Sequence, residues 1–138
     1  MALRFCANLN FLFPELPLLD RFEAAAKAGF AGVEMVYPYE LSAEAIRERL
    51  HGAGLKQVLF NTDSGDRAAG ERGMACLPGR EAEFRRSVHR ALDYAATLDC
   101  TRVHLMAGVQ PPGLPDETAA ALYTENLAWA ADLAGRPG

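Results

Sequence analysis

Residues 32–60 read GVEMVYPYELSAEAIRERLHGAGLKQVLF, and the order of patterns inside this stretch decides the fold. Residues 32–36 are a short, mostly apolar run interrupted by Glu34, and Pro38, which has no N–H for a ladder, closes it. Ser42 then stands where a helix N-cap belongs, Ile46, Leu50 and Ala53 recur on one helical face, and Gly54 supplies the stop. Residues 55–60, LKQVLF, form a second strand. Strand, helix and strand in this order predict a parallel pair joined by a right-handed crossover.

The same alternation extends in both directions. Upstream, Leu3, Phe5, Ala7 and Leu9 alternate with Arg4, Cys6, Asn8 and Asn10 in the period of a strand, which Pro14 ends. Leu16, Leu19, Phe22 and Ala26 predict a helix over 15–27, stopped by Gly29. Downstream, Phe84, Val88, Ala91, Leu92, Ala95 and Leu98 predict a helix of about five turns at 3.6 residues per turn. Residues 102–107 follow as a fourth strand, 108–115 as a loop, and 116–134 as a helix with Tyr123, Leu127, Ala130 and Ala134 on one side. Four β-α units predict an α/β protein with parallel strands, closed either as an open doubly wound sheet or as half of a (β/α)8 barrel, which takes about 250 residues when complete. Residues 1–138, half of them hydrophobic, fit one domain with a real core.

Between the third strand and third helix lies NTDSGDRAAGERGMACLPGREAEFRR, residues 61–86. Loops of this length in compact domains are binding loops, lids or linkers, and the apolar run from Met74 to Pro78 favours an ordered lid. It contains no dinucleotide or P-loop fingerprint and no nucleophile elbow. Arg67, Arg72 and Arg80 offer paired donors for a carboxylate or phosphate, although pairing with neighbouring Asp and Glu accounts for them equally. Asp63, Asp66 and Glu71 are hard-cation ligands by type, but their spacing matches no calcium loop and solvated loop charges are the expectation.

Strand parity gives a sharper inference. With Phe5, Val33, Val58, Phe60, Val103 and Leu105 turned toward the helices, Asn8, Glu34, Asn61 and His104 fall on the opposite face, near the carboxyl end of each strand. Singly, such residues are turn formers, solvated carboxylates or core histidines. As a set they predict a ligand-facing rim, because ligands gather at the carboxyl ends of the strands in barrels and in open sheets alike. Glu125 and Asn126 of the last helix are expected on its solvated outer face.

Composition limits the partners. A net charge of −4 with Lys and Arg scattered along the chain argues against nucleic acid, which needs a basic patch. No apolar run approaches a membrane span, and the start lacks the basic-then-apolar pattern of a signal peptide. Cys6, Cys76 and Cys100, odd in number and without metal-ligand spacing, suit the cytoplasm.

Five stretches carry a family resemblance: LRFCANLNFLFPE at 3–15, AGFAGVEMVYPY at 28–39, GDRAAGERGMACLPGREAEFR at 65–85, RVHLMAG at 102–108 and TENLAWAADLA at 124–134. In these the chain resembles the hydroxypyruvate isomerases of the xylose isomerase-like TIM-barrel superfamily, which also includes isomerases of 2-oxo-tetronate and of sugars. The resemblance implies four β-α units forming the N-terminal half of a barrel. It implies interconversion of hydroxypyruvate and 2-hydroxy-3-oxopropanoate through an enediol, with a divalent metal, Mg2+ or Mn2+, as electrophile in the complete barrel. By the same resemblance the two catalytic glutamates and the metal ligands lie on strands of the second half, while this sequence ends at LAGRPG, where a fifth strand is due. The expectations are therefore a truncated chain, no catalytic residue and no metal held by this chain alone. Asn8, Glu34, Asn61 and His104, with Arg67, Glu71, Arg72 and Arg80 of the loop, are then expected to bind a small hydroxy or oxo acid. Unpaired first and fourth strands predict self-association or pairing with a second half-barrel, and the competing expectation is an inactive binding or assembly module.

Overall fold

The computed structural model describes residues 3–135, so expectations about residues 1–2 and 136–138 lie outside it. Four strands, β1 (Cys6–Asn8), β2 (Gly32–Met35), β3 (Lys56–Asn61) and β4 (Val103–His104), alternate with helices α1 (Arg21–Lys27), α2 (Ala43–Ala53), α3 (Glu81–Leu98) and α4 (Asp116–Ala134). The strands form one parallel sheet in the order β1-β2-β3-β4. This sequential order decides between the two closures, because a doubly wound sheet reverses its strand order at a switch point and a barrel does not. Among the described residues no helix is long and apolar enough to cross a membrane.

The contacts divide the chain into two compact units. The first, residues 1–61 and 93–104, contains the whole sheet, α1 and α2. Its buried side chains include Ala7, Leu9, Phe22, Val33, Met35, Ile46, Leu50 and Phe60. Ser42 caps α2 by accepting from the N–H of Ala45 at 3.2 Å, and Gly54 ends it in the left-handed region, as the sequence predicts.

Three expectations for this unit need correction. The helix expected over 15–27 begins as α1 only at Arg21, after a 3-10 turn over Leu18–Asp20. Pro17 bars the preceding residue from helical backbone, and Arg21 holds the irregular segment by donating to the carbonyls of Leu9, Leu16 and Pro14. Phe5, expected against the helices, is 65% exposed, because the pairing of β1 with β2 starts only at Cys6. Val58 does not share the alternation of Phe60. Opposite Val33 and Glu34 the register on β3 jumps from Gln57 to Leu59, so Val58 is the extra residue of a bulge and Gln57 is buried in its stead.

The second unit, residues 62–92 and 105–138, contains the glycine-bearing loop, the first part of α3, and α4. Met74, Ala75, Phe84, Val88 and Ala130 form its core, with Leu92, Leu105, Tyr123, Trp129 and Leu133 packed against them. The strand expected over 102–107 is short: β4 ends at His104, and Ala107 instead bridges antiparallel to Gly73. On α4, Leu127 is 43% exposed, whereas Ala119, Asn126 and Ala130 are buried. Asn126 is thus not on the outer face: it is 3% exposed and donates to the carbonyl of Ala75 at 2.9 Å, while Glu125 is exposed.

The loop is ordered. Ser64 accepts from the N–H of Gly73 through its carbonyl, Ala107 likewise accepts from the N–H of Cys76, and the Thr62 hydroxyl accepts from the N–H of Met106. Gly73 makes this docking possible: at φ 118° it occupies backbone that side chains avoid, and a Cβ there would lie 2.3 Å from the carbonyl oxygen of Met106. Gly73→Ala therefore combines conformational strain with a backbone clash and is expected to destabilise by about 2–5 kcal/mol. Gly70→Ala, at φ 87° with open space around it, is expected to cost only about 1 kcal/mol. Thermal unfolding of the two variants checks this ranking, and equal shifts would contradict it.

Candidate functional site

The carboxyl ends of the four strands carry Asn8, Glu34, Asn61 and His104, and the ladder pairs them two by two. Asn8 lies opposite Glu34 in the β1–β2 register and donates from Nδ2 to Glu34 Oε1 at 2.8 Å. Asn8 Oδ1 in turn accepts from the N–H of Asn10, whose own Oδ1 accepts from the N–H of Val36 at 2.6 Å. Asn61 lies opposite His104 in the β3–β4 register, and Asn61 Oδ1 is 3.1 Å from His104 Nδ1. With the amide oxygen toward the ring, Nδ1 is the donor of this bond. Tyr39 completes this half of the row, its hydroxyl donating to the Asn61 carbonyl at 2.6 Å while its ring meets Phe60 and Tyr94 edge-on. Sequence reasoning missed Tyr39; the only signal was an aromatic residue one place after the proline that closes β2.

Asn8, Glu34 and Asn61 are half-buried and His104 is exposed. Beside Glu34, the covered part of the Cys6 thiol and then the Glu34 carboxylate push the Cys6 pKa up to about 11. Cys6, though at an exposed position, is consequently less ionised at physiological pH than an ordinary thiol.

The loop candidates belong to the second unit and form their own cluster. Arg80 makes a two-pronged pair with Glu71, Nη1 to Oε1 at 2.7 Å and Nη2 to Oε2 at 3.2 Å. Its Nε and Nη2 also donate to Glu83 at 2.6 and 2.8 Å. Arg80 first, then the Asp66 N–H, holds the Glu71 carboxyl below the usual carboxylate range, and Arg80 does the same for Glu83. Arg80 is thus spent on carboxylates of its own chain. Arg72 donates to the Glu71 carbonyl at 2.7 Å, and Arg67 is exposed. Asp63 and Asp66 cap turns, accepting from the N–H groups of Gly65 and of Ala68 and Ala69. A cavity of about 410 Å³ beside them is lined by Asp66, Met74, Arg80, Glu83, Arg86 and Arg90 among others.

Among the described residues no three His, Cys, Asp or Glu side chains come together in a way that could hold a metal ion. In the strand-end row the donors of metal-ligating type are one carboxylate and one imidazole, each tied to an amide, so the row by itself does not fit a divalent metal. What it offers is oriented polar groups on neighbouring strands, the equipment for gripping a small polar molecule.

Residues 22–138 match the family model described as xylose isomerase-like TIM barrel. The chain belongs to that family. A 2-oxo-tetronate isomerase of Cupriavidus necator is 50% identical over 135 residues, covering 98% of this chain and 52% of the relative. A hydroxypyruvate isomerase of Escherichia coli is 45% identical over 131 residues, covering 95% of this chain and 51% of the relative. The crystal structure of an AP endonuclease, family 2, from Brucella melitensis superposes with a TM-score of 0.91 at 49% identity, over 94% of this chain and 50% of that one. The chain thus spans about half the length of these members of the xylose isomerase-like family, and its four parallel β-α units are half of the eight in a TIM barrel.

The state of Cys6 is open to direct measurement. A rise from 9.0 to about 11 cuts the thiolate fraction by roughly a hundredfold, while the greater nucleophilicity of a more basic thiolate returns about tenfold. Iodoacetamide at pH 8 should therefore alkylate Cys6 roughly tenfold more slowly in the native chain than in urea, read by peptide mass spectrometry. Equal rates would contradict the assignment.

Proposed function

We propose that this chain forms the substrate-gripping half of an isomerase that interconverts a small hydroxy-oxo acid through an enediol. The observation that carries the reading is the row Asn8–Glu34 and Asn61–His104, paired across adjacent strands at their carboxyl ends. For hydroxypyruvate the reaction removes a proton from the hydroxymethyl carbon, passes through an enediol, and returns a proton to the former carbonyl carbon as the hydroxyl hydrogen moves between oxygens. Glu34, with one oxygen held by Asn8, keeps a second oxygen to accept from a substrate hydroxyl. His104, with its ring set by Asn61, presents Nε2 to another. These are binding and orienting roles; the groups that move the carbon-bound proton, and any divalent metal, are assigned to the part of the barrel that this chain does not match. In this reading the rest of the barrel supplies the walls that exclude water from the row.

A second reading has a specific support: relatives that are 50%, 49% and 46% identical are named 2-oxo-tetronate isomerases, against 45% for the hydroxypyruvate isomerase of E. coli. A four-carbon 2-oxo acid is then the substrate, handled by the same row. In either case β1 and β4 are the outer strands of the ladder, and we propose that a second half-barrel or a second copy of the chain pairs with them. The net charge of −4 favours a small-molecule partner over nucleic acid, and three free cysteines suit a reducing cytoplasm.

Calorimetric titration with hydroxypyruvate and with 2-oxo-tetronate tests the row. Loss of a hydrogen bond to a charged group is worth about 1.5–3 kcal/mol, so Glu34→Ala and His104→Ala should each weaken binding by roughly 10- to 100-fold, and Glu125→Ala should change nothing. Equal, negligible effects would contradict the assignment. Turnover should appear, with Mg2+ or Mn2+ present, only when the chain is mixed with the C-terminal half of the C. necator relative. Turnover proportional to the concentration of this chain alone would contradict the division of labour and also dismiss the inactive-module alternative.

A further inference from the structure

The turn that follows β1 carries a strained residue. Phe13 has φ 60°, left-handed backbone that a bulky side chain rarely adopts, and such strain persists only where the surroundings over-determine it. Arg21, the first residue of α1, supplies much of that determination. Its Nη1 donates to the Leu9 carbonyl at 2.7 Å, its Nη2 to the Pro14 carbonyl at 3.3 Å and its Nε to the Leu16 carbonyl at 2.9 Å, so one guanidinium clasps the chain on both sides of Phe13. Glycine takes this backbone without strain, and strained residues held in this way cluster at ligand clamps.

The clasped turn starts at Asn8 itself. The Asn8 carbonyl accepts from the N–H groups of Phe11 and Leu12 at 3.2 and 2.9 Å, and the Leu9 N–H donates to the Glu34 carbonyl at 3.0 Å. This path brings the Asn10 N–H to 3.0 Å from Asn8 Oδ1, and Asn10 Oδ1 accepts from the N–H of Val36 at 2.6 Å, which ties the turn to the residue just past β2. A backbone N–H can meet only the oxygen end of an amide. Asn8 therefore has one way round, with Oδ1 toward Asn10 and Nδ2 toward Glu34 Oε1 at 2.8 Å. Turned over, the amide would set its oxygen against the carboxylate and its hydrogens against the Asn10 N–H.

We propose that Asn10 is a positioning residue of the ligand site. Its side chain, anchored on Val36, holds its own N–H where it fixes the end of the Asn8 amide that faces Glu34, and Arg21 keeps the turn in the shape this needs. Asn10 touches no ligand and acts through Asn8. The proposal rests on the gripping role proposed for Glu34, and its first readout needs no ligand.

That readout is two-dimensional NMR of the free chain. The Nδ2 proton signals of Asn8 should lie well away from those of a solvated amide and move in Glu34→Gln, which removes the charge they meet. Asn10→Ala, at an exposed position, should bring them toward the solvated values. Asn10→Asp, which keeps an acceptor for Val36, should restore them, with the Asn61 signals steady throughout. The second readout is calorimetric titration with hydroxypyruvate. Asn10→Ala should weaken binding by roughly 2- to 10-fold, the worth of one hydrogen bond, and should weaken it no further in a chain that already carries Asn8→Ala. A merely structural role would add its loss in both backgrounds. Asn8 signals indifferent to Asn10→Ala, or a binding loss that adds to that of Asn8→Ala, would each overturn the proposal. If Glu34→Ala leaves binding unchanged, the gripping role falls instead, and the Asn8 signals still decide whether Asn10 sets the amide.

Discussion

The parallel hydrogen-bond ladder is the constraint on which the rest of the structure depends. A parallel strand cannot turn back on its neighbour by a tight loop, so each pair requires a crossover, and α1, α2 and α3 occupy the three crossovers that link the four strands in sequence. The ladder also aligns all the carboxyl ends on one side, and residues far apart in the chain meet there as register partners: Asn8 with Glu34, Asn61 with His104. Had β3 slipped by one residue, Asn61 would sit on the other face.

The polar row answers an energetic problem that its own position creates. Half-buried amides and a carboxylate lose water, and each needs a partner. Cross-strand pairing supplies one: Asn8 covers one oxygen of Glu34, and Asn61 lies against His104 Nδ1. The Glu71–Arg80–Glu83 cluster behaves differently. Its charges satisfy one another within the loop and the first turn of α3, which makes it a fastening for the loop.

Much of this was legible in the sequence, and the failures have physical causes. Ser42 and Gly54 mark the ends of α2 because a cap and a left-handed stop each demand particular residue types. The row was readable because strand parity is strict wherever the ladder is regular. Parity failed at Val58 because a bulge is set by how β3 fits β2, which is a tertiary matter with no signature in the strand itself. Pro17 was a visible reason to delay α1, outweighed by an apolar spacing that continued through it. Asn126 was misplaced because an amide reads as polar, although Ala119, Tyr123, Asn126, Ala130 and Leu133 together make a better helical stripe than one passing through Leu127. Tyr39, which braces Asn61, had no pattern to announce it.

The chain is a member of the xylose isomerase-like family with a sequential parallel sheet, and the proposed ligand face is the carboxyl end of that sheet, where Asn8 pairs with Glu34 and Asn61 with His104. The most direct test is an amide-resolved NMR titration of the chain with hydroxypyruvate. Saturable shifts centred on Asn8, Glu34, Asn61 and His104 are the predicted result, since a ligand gripped by their side chains changes the field at their backbone. Saturable shifts confined to residues away from the strand ends, or no saturable shift at all, would contradict the claim that the carboxyl-end row is the ligand face.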